Sequence, residues 1–449
     1  MSSKFIKINK KINNFNKTIE VDGDKSLSIR WALLASQAIG TSRAYNLLRS
    51  EDTLNALKCL KKLGIIIKLS KKFCQIEGRG INGFLFKKNI TLDAGNSGTL
   101  GRLLLPLLIK SPYKIKMVGD KSLSKRDFSR VIKPLKSMGV NFYPQNKKTL
   151  PIYIKGSRYL RPIKYIENRG SAQCKSCVML AALNIYGETS ITAKKSRDHT
   201  ELLFKNLKIP IKIKRKKNYD TIKIIKPKSI EGFSLIIPGD ISSSAFFIVL
   251  TLLTKNSKLL IKNININPSR LGVIKILNKM GAKIKLLNIK KINNERTADI
   301  FVKSVNNLKG INCPSNLNSS AIDEFLIIFL VAAKAKGISY FKKLNELNQK
   351  ESPRLKIGSK ILNMIGIKVF SNKNSIKIYG NPNLKLNKNY IIKNFLKDHR
   401  IFMMSVISAL SLGGTWKIYN PECVKTSFPS FLKIISKLGA KINWNLKKK

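Results

Sequence analysis

Histidine and acid are both scarce in this sequence. Its 449 residues include two histidines, His199 and His399, and only 24 Asp and Glu against 86 Lys and Arg, a formal net charge of +62. Two histidines so far apart in sequence argue against a histidine-built metal centre. Cysteine is also sparse. The six cysteines, at 59, 74, 174, 177, 313 and 423, have no framework spacing, which excludes a small disulfide-stapled module. The one close pair, Cys174-x-x-Cys177, lacks a second CxxC and lies in CKSCVMLAAL, an apolar segment that reads as helix. Buried helix cysteines are therefore expected rather than a zinc or redox motif. No apolar run approaches the roughly 20 residues of a membrane span. The opening MSSKFIKINKKINNFNK has lysines but neither an apolar h-region nor a small-residue cleavage site, and it is poor in arginine. Neither a secretory nor a transit peptide is expected, and a soluble cytoplasmic protein is the default.

What is abundant is lysine, together with isoleucine and asparagine. A pI near 10.3 ordinarily suggests nucleic acid. Here the lysines are scattered through every segment, and all three abundant residues share A/T-rich codons. Biased coding explains the composition as well as a polyanion partner does, so specific nucleic-acid binding is not expected. The dense basic stretches, IKIKRKK (211–217) and the final LKKK, read as solvated charge. Small anionic substrates fit the charge fully. With 43% apolar residues dispersed along it, the chain can bury cores for two or three domains.

One internal pattern recurs: an amphipathic helix, a glycine where it stops, then a β-branched strand. It appears as LKKLGIIIKL (60–69), LKSMGVNFY (135–143), LNKMGAKIKL (277–286), LNMIGIKVF (362–370) and LGAKINW (438–444), with a glycine-less copy at FKNLKIPIKI (204–213). The markers Gly64, Gly139, Pro210, Gly281, Gly366 and Gly439 are 75, 71, 71, 85 and 73 residues apart. Six βαβ-like units are too large for solenoid repeats, so they group into domains, three to each, with a boundary near Pro238–Asp240. Helices are expected at 29–39, 130–138, 244–253 and 323–335, and strands at 113–119, 234–240, 258–264 and 415–420. The class is mixed α and β.

Several strand–turn–helix junctions carry small, hydroxyl-rich turns: VDGDKSLSIR (21–30), LDAGNSGTLGR (92–102), MVGDKSLSKR (117–126), NRGSAQCKS (168–176) and PGDISSSAF (238–246). Such turns aim backbone N–H groups outward and suit anions, although N-capping alone accounts for any single Ser or Asp. None matches a Walker or dinucleotide fingerprint.

Taken together and in order, these elements resemble the enolpyruvyl transferases, specifically the branch acting on shikimate 3-phosphate. The resemblance rests on GDKSLSIR (23–30), GNSGTLGR (95–102), SKRDFS (124–129), SAQ (171–173), SRDHTE (196–201), NPSRLG (267–272), AIDE (321–324), KESPRL (350–355), KDHR (397–400) and VKTSFPSF (424–431). It implies a two-domain inside-out α/β barrel with three βαβαββ-type repeats per domain. One domain would comprise 1–21 plus 241–449 and the other 22–240, with the active site in the cleft between them. The implied reaction moves the enolpyruvyl group of phosphoenolpyruvate to the 5-hydroxyl of shikimate 3-phosphate and releases phosphate, in aromatic amino acid biosynthesis. It needs no cofactor and no metal, and a cytoplasmic monomer is implied.

By the same resemblance, shikimate 3-phosphate contacts Lys25, Ser26, Arg30, Ser171, Gln173, Ser196, Asp323 and Lys350. Phosphoenolpyruvate contacts Lys25, Gly98, Arg126, Gln173, Arg354, Arg400 and Lys425, with the backbone at Gly98 close against it. Asp323 takes the 5-hydroxyl proton, Glu351 is the acid at the methylene, and Lys25 touches hydroxyl and departing phosphate. The chemistry agrees: gathering phosphates and carboxylates needs several Arg and Lys, and two proton transfers need two carboxylates. Without the resemblance, Asp323 reads as a cap of helix 323–335, while Glu351, Arg354 and Asp398 read as surface pairs. Ala172, Pro353, Lys397 and Leu103 depart from the family pattern. Two rivals remain at this point: a related transferase acting on a UDP-sugar, whose loop cysteine has no match here, and a degenerate polyanion-binding scaffold.

Overall fold

The computed structural model describes residues 4–445, so the final LKKK lies outside the described residues. The chain divides into two compact units. One comprises Met1–Asp22, Gly239–Lys290 and Arg296–Lys449, and the other Gly23–Pro238 with Lys291–Glu295. The second unit's five-residue segment is the tip of a hairpin between strands Ile284–Ile292 and Glu295–Lys303, which the repeat spacing does not foresee.

Repeat architecture follows from which faces are apolar. In the second unit, strand Thr91–Asp93, helix Gly98–Leu104, strand Lys114–Val118, helix Ser129–Ser137 and strands Asn141–Tyr143 and Ile152–Lys155 form one βαβαββ repeat. The first two strands pair parallel, and the last two return antiparallel in the order first, second, fourth, third. Residues 164–225 repeat this order. The unit's third sheet takes its first strand, Ser234–Ile236, from the far end of the segment, laid parallel to Ile39–Tyr45.

The first unit does the same with the start of the chain. Asn16–Ile19 lies parallel to Lys258–Asn265, and Phe5–Ile8 is antiparallel to Gly413–Tyr419. Its third sheet keeps three strands, with the fourth reduced to the bridges Lys309↔Lys336 and Asn312↔Tyr340.

Within each unit the helices are inside and the sheets outside. All fourteen residues of His399–Leu412 are buried, as are all but the last of Ile241–Leu253. Strands such as Tyr219–Ile225 instead alternate buried and exposed positions, as a sheet with one wet face must. A helix apolar all round is a core helix. The helix expected at 29–39 runs Lys25–Ala35, because Ile39 already begins a strand; that expected at 323–335 runs Phe325–Lys334. The basic stretch from 211 forms strand Ile211–Arg215, where Arg215 meets Asp198 at 2.9 Å and Asp220 at 3.6 Å. All six cysteines are free and buried, and Cys174 and Cys177 sit in helix Ala172–Ala182, where burial pushes both thiols up.

The five marker glycines all have positive φ, from 82° to 105°. In the glycine-less copy, helix His199–Asn206 ends at Leu207 and the exposed Lys208 takes the left-handed position, with φ 55°. Left-handed geometry costs a residue with a Cβ about 1–2 kcal/mol, more than the roughly 0.5–1 kcal/mol of extra chain entropy that glycine loses on folding. Lys208→Gly should therefore raise the urea midpoint with unchanged slope, a gain of about 0.5 kcal/mol. A lowered midpoint would count against this account.

Candidate active site

In the first unit the site is built around one buried arginine. Arg354 opens helix Arg354–Met364 and is 1% exposed. Its Nε donates to Asp398 Oδ2 at 2.9 Å and its Nη2 to Asp398 Oδ1 at 3.2 Å. It also contacts Glu351, three residues before it, and its Nη1 lies 3.6 Å from Asp323 Oδ1. Burial works against the arginine's charge, but the Asp398, Glu351 and Asp323 carboxylates win and hold the guanidinium above its usual range. Burial likewise opposes the charge on Asp398, yet Arg354 keeps that carboxyl below the usual carboxylate range.

Asp398 has a second task. It caps the buried helix His399–Leu412, Oδ1 accepting from Arg400 N at 2.9 Å, while Ser352 Oγ donates to Oδ2 at 2.8 Å. Lys350 Nζ lies 3.1 Å from Asp323 Oδ1, and Arg400 Nη1 donates to the Asp323 carbonyl at 2.7 Å. Asp323, Lys350, Glu351, Arg354 and Arg400 thus form one cluster. The exposed Lys425, in the turn Pro421–Thr426, has no ion pair with them among the described residues.

The surface-pair reading of Glu351, Arg354 and Asp398 is thereby overturned, since Arg354 and Asp398 are each 1% exposed. Nor does Asp323 cap the following helix, which begins two residues later with Glu324 at its N-cap and no side-chain cap.

In the second unit, helix Lys25–Ala35 is capped by Asp24, whose Oδ1 accepts from Leu27 N at 2.9 Å. That cap directs Lys25 onto Asp52 at 3.0 Å and leaves Arg30 buried one turn on. Arg30 donates through Nη1 to the Ser26 carbonyl, through Nε to Thr200 Oγ1 and through Nη2 to Ser176 Oγ, at 3.1, 2.8 and 3.2 Å. Ser171 caps helix Ala172–Ala182 and donates through its own N–H to the Glu167 carboxylate at 3.0 Å. Ser196 Oγ is buried with no hydrogen-bond partner among the described residues.

Gln173 is clamped. Its Oε1 accepts from Arg102 Nη1 at 2.8 Å and its Nε2 donates to Thr99 Oγ1 at 3.0 Å. Arg102 also donates to the Asp127 carbonyl at 3.1 Å and lies over the Phe128 ring. Burial, with Arg126 and Arg130 nearby, pushes this guanidinium down to about 9.

Gly98 is the first residue of helix Gly98–Leu104, without the positive φ of a turn glycine. A Cβ there would stand 2.7 Å from Arg126 Nη1 and 2.8 Å from Arg102 Nη1. A methyl there would thus meet the ends of two arginine side chains rather than strain the backbone. Arg102 was in view within GNSGTLGR, but nothing in the sequence marked it as the residue joining Gly98, Arg126 and Gln173. Asp52, the partner of Lys25, was missed for the same reason: it lies 27 residues away. Of the hydroxyl-rich loops, 117–126 differs from the rest, leading into a 3-10 turn at Leu123–Lys125 instead of an α-helix.

The sequence pattern of the family described as EPSP synthase (3-phosphoshikimate 1-carboxyvinyltransferase) matches residues 9–435. The chain belongs to this family. A 3-phosphoshikimate 1-carboxyvinyltransferase of Petrotoga mobilis is 40% identical over 430 residues, 95% of this chain and 97% of that protein. Another, of Ruthia magnifica, is 39% identical over 443 residues, 98% and 99% of the two chains. A solved structure of EPSP synthase from Acinetobacter baumannii superposes with TM-score 0.86 at 33% identity, covering 99% of this chain and all of that one. The enolpyruvyl transferase NikO from Streptomyces tendae shares the fold alone, with TM-score 0.78 at 14% identity.

Three of the four departures from the family pattern take up ordinary positions. Ala172 follows the capping Ser171, Pro353 is the N-cap of the Arg354 helix, and Leu103 is fully buried. Lys397 has φ 54°, immediately before the Asp398 cap.

Removing the Asp398 charge leaves a buried arginine short of its main partner, a loss of about 3–5 kcal/mol. Asp398→Asn should therefore lower the urea midpoint strongly at pH 7. Because the folded-state pKa of Asp398 is depressed, its stabilisation is complete above the unfolded value and is lost as pH falls through the folded one. The gap between wild type and variant should thus narrow below about pH 4. A gap that is constant across pH 3–7 would refute the electrostatic account.

Proposed function

We propose that the protein transfers the enolpyruvyl group of phosphoenolpyruvate to the 5-hydroxyl of shikimate 3-phosphate by addition and elimination. The 5-oxygen bonds to C2 of phosphoenolpyruvate while C3 gains a proton. Loss of that C3 proton and of phosphate then restores the double bond. What carries the reading is the family match over 9–435, supported by the clustering of Asp323, Lys350, Glu351, Arg354 and Arg400 around one buried guanidinium.

In this proposal Asp323 receives the 5-hydroxyl proton and Glu351 delivers the proton to C3, with Lys25 at the hydroxyl and the departing phosphate. Ser26, Arg30, Ser171, Gln173, Ser196 and Lys350 hold shikimate 3-phosphate. The buried, unpartnered Ser196 hydroxyl suits a phosphate acceptor. Arg126, Arg354, Arg400 and Lys425 hold the phosphate and carboxylate of phosphoenolpyruvate, with Gly98 and Gln173 beside it. Bidentate arginine is the side chain matched to such groups. Among the described residues no group of three or more His, Cys, Asp or Glu is placed to hold a metal ion, and no helix is long and apolar enough to cross a membrane.

Mixing purified protein with phosphoenolpyruvate and shikimate 3-phosphate should release phosphate stoichiometrically with the enolpyruvyl product, and absence of release would defeat the proposal. Glu351→Gln and Asp323→Asn should each lower turnover about 10²-fold or more, with modest changes in KM, since a positioned acid or base contributes about that much. Either variant working at near wild-type rate would remove that residue from proton transfer. A second expectation comes from the arginines packed on Gly98. Gly98→Ala should fold normally and raise KM for phosphoenolpyruvate several-fold, because the new methyl displaces Arg126 and Arg102 instead of straining the backbone. A variant that loses stability with KM unchanged would mark Gly98 as structural only.

A further inference from the structure

Two motifs that stand out in the sequence, PGDISSSAF (238–246) and NPSRLG (267–272), take part in no step of the proposed reaction. In the fold they meet. Arg270, 2% exposed, donates through Nη2 to Asp240 Oδ1 at 2.8 Å and to Ser242 Oγ at 2.7 Å. A serine hydroxyl has a single proton to donate, and Ser242 gives it to Glu324 Oε1. The direction of this relay is therefore fixed: arginine donates to hydroxyl, and hydroxyl to carboxylate.

Glu324 has a fully buried side chain and stands at the N-cap of helix Phe325–Lys334, yet its carboxylate caps nothing there. Its Oε2 has no hydrogen-bond partner among the described residues. A carboxylate so placed is costly unless cations face it. One such cation is Arg270, acting through Ser242. The other is Arg400, whose Nη1 lies 3.8 Å from Glu324 Oε1 and donates to the Asp323 carbonyl at 2.7 Å. Both contacts fall on Nη1. Among the described residues none falls on Nε or Nη2, the edge that can grip a carboxylate with two parallel hydrogen bonds.

We propose that Glu324 is a positioning residue for Arg400: fixed by Ser242 and Arg270, it holds the Nη1 end of the fork so that the other edge is preset for phosphoenolpyruvate. This rests on the assignment of Arg400 to that substrate. A long side chain without such a hold gives up rotamer freedom each time a ligand binds. The neighbouring Asp323 carboxylate is held separately, by Lys350 and Arg354, so the effect is confined to phosphoenolpyruvate. Glu324 also places a negative charge near an anion site, and that charge works against binding. Losing the hold weakens affinity and losing the charge strengthens it, so the sign of the change tells the two apart.

The test uses the full chain, with initial rates measured for both substrates and shikimate 3-phosphate binding measured by calorimetry. Glu324→Gln keeps the shape and removes the charge that attracts Nη1. It should raise KM for phosphoenolpyruvate about fivefold, the scale of ordering one long side chain on binding. The value of kcat should fall by less than about threefold, and shikimate 3-phosphate affinity should stay within about twofold. Ser242→Ala leaves every charge in place but releases Glu324 from the relay, and it should raise the same KM. Either variant decides the matter if the other does not fold.

An unchanged KM for phosphoenolpyruvate in either variant would overturn the positioning role. So would a lowered KM in Glu324→Gln, which would show the charge acting by repulsion alone, or equal losses for both substrates. Wild-type protein that releases no phosphate from the two substrates would instead defeat the reading on which the assignment of Arg400 rests, an outcome visible before any variant is made.

Discussion

A buried arginine cannot discard its charge, and much of this structure is organised around that constraint. Arginine stays protonated at any ordinary pH, so once its side chain leaves water it must be given partners or the fold is lost. Here acid is scarce, and nearly half of it lies inside. Among the described residues eleven acidic ones are buried (Asp24, Asp52, Glu167, Asp198, Glu201, Asp220, Asp240, Glu295, Asp299, Glu324 and Asp398), against six basic ones. Several of these carboxylates serve as helix caps or as partners of buried cations, and Asp398 does both. The surplus of lysine remains outside, where water and salt screen it.

The helix-in, sheet-out arrangement follows from composition as much as from topology. Helices that are apolar on every side, such as Phe325–Lys334, can only be interior. Strands rich in alternating lysine and isoleucine have one face to bury and one to expose. That alternation places much of the lysine harmlessly on outer faces. Asparagine has its own use: among the described residues, ten of the fourteen non-glycine residues with positive φ are Asn, a side chain that tolerates left-handed geometry. A composition rich in Asn and Lys thus coexists with tight turns, and Lys208 shows where the tolerance is stretched.

Much of this was legible in the sequence. The six helix–stop–strand units and the main helices could be placed from periodicity and from glycine spacing. Their ends were less secure: the helix of Arg30 stops at Ala35, because strand pairing, invisible in local pattern, claims Ile39. The candidate site residues were named through motifs, but their surroundings were not. Local reasoning made Asp323 a helix cap and the Glu351–Arg354–Asp398 group a surface pairing, because charged residues near one another are usually exposed. Burial is set by what packs over them, and residues 44 positions apart in sequence, Arg354 and Asp398, meet only in the fold.

By itself, the sequence determined the class of the protein and its repeat number. Those depend on local periodicity and on motifs of a few consecutive residues. Tertiary structure alone decided what surrounds each buried charge. Arg354 meets the Asp398 carboxylate, 44 residues distant, and Arg30 donates to the Ser176 and Thr200 hydroxyls, 146 and 170 residues distant. Electrostatic environment is a property of neighbours in space, and no window along the chain contains them.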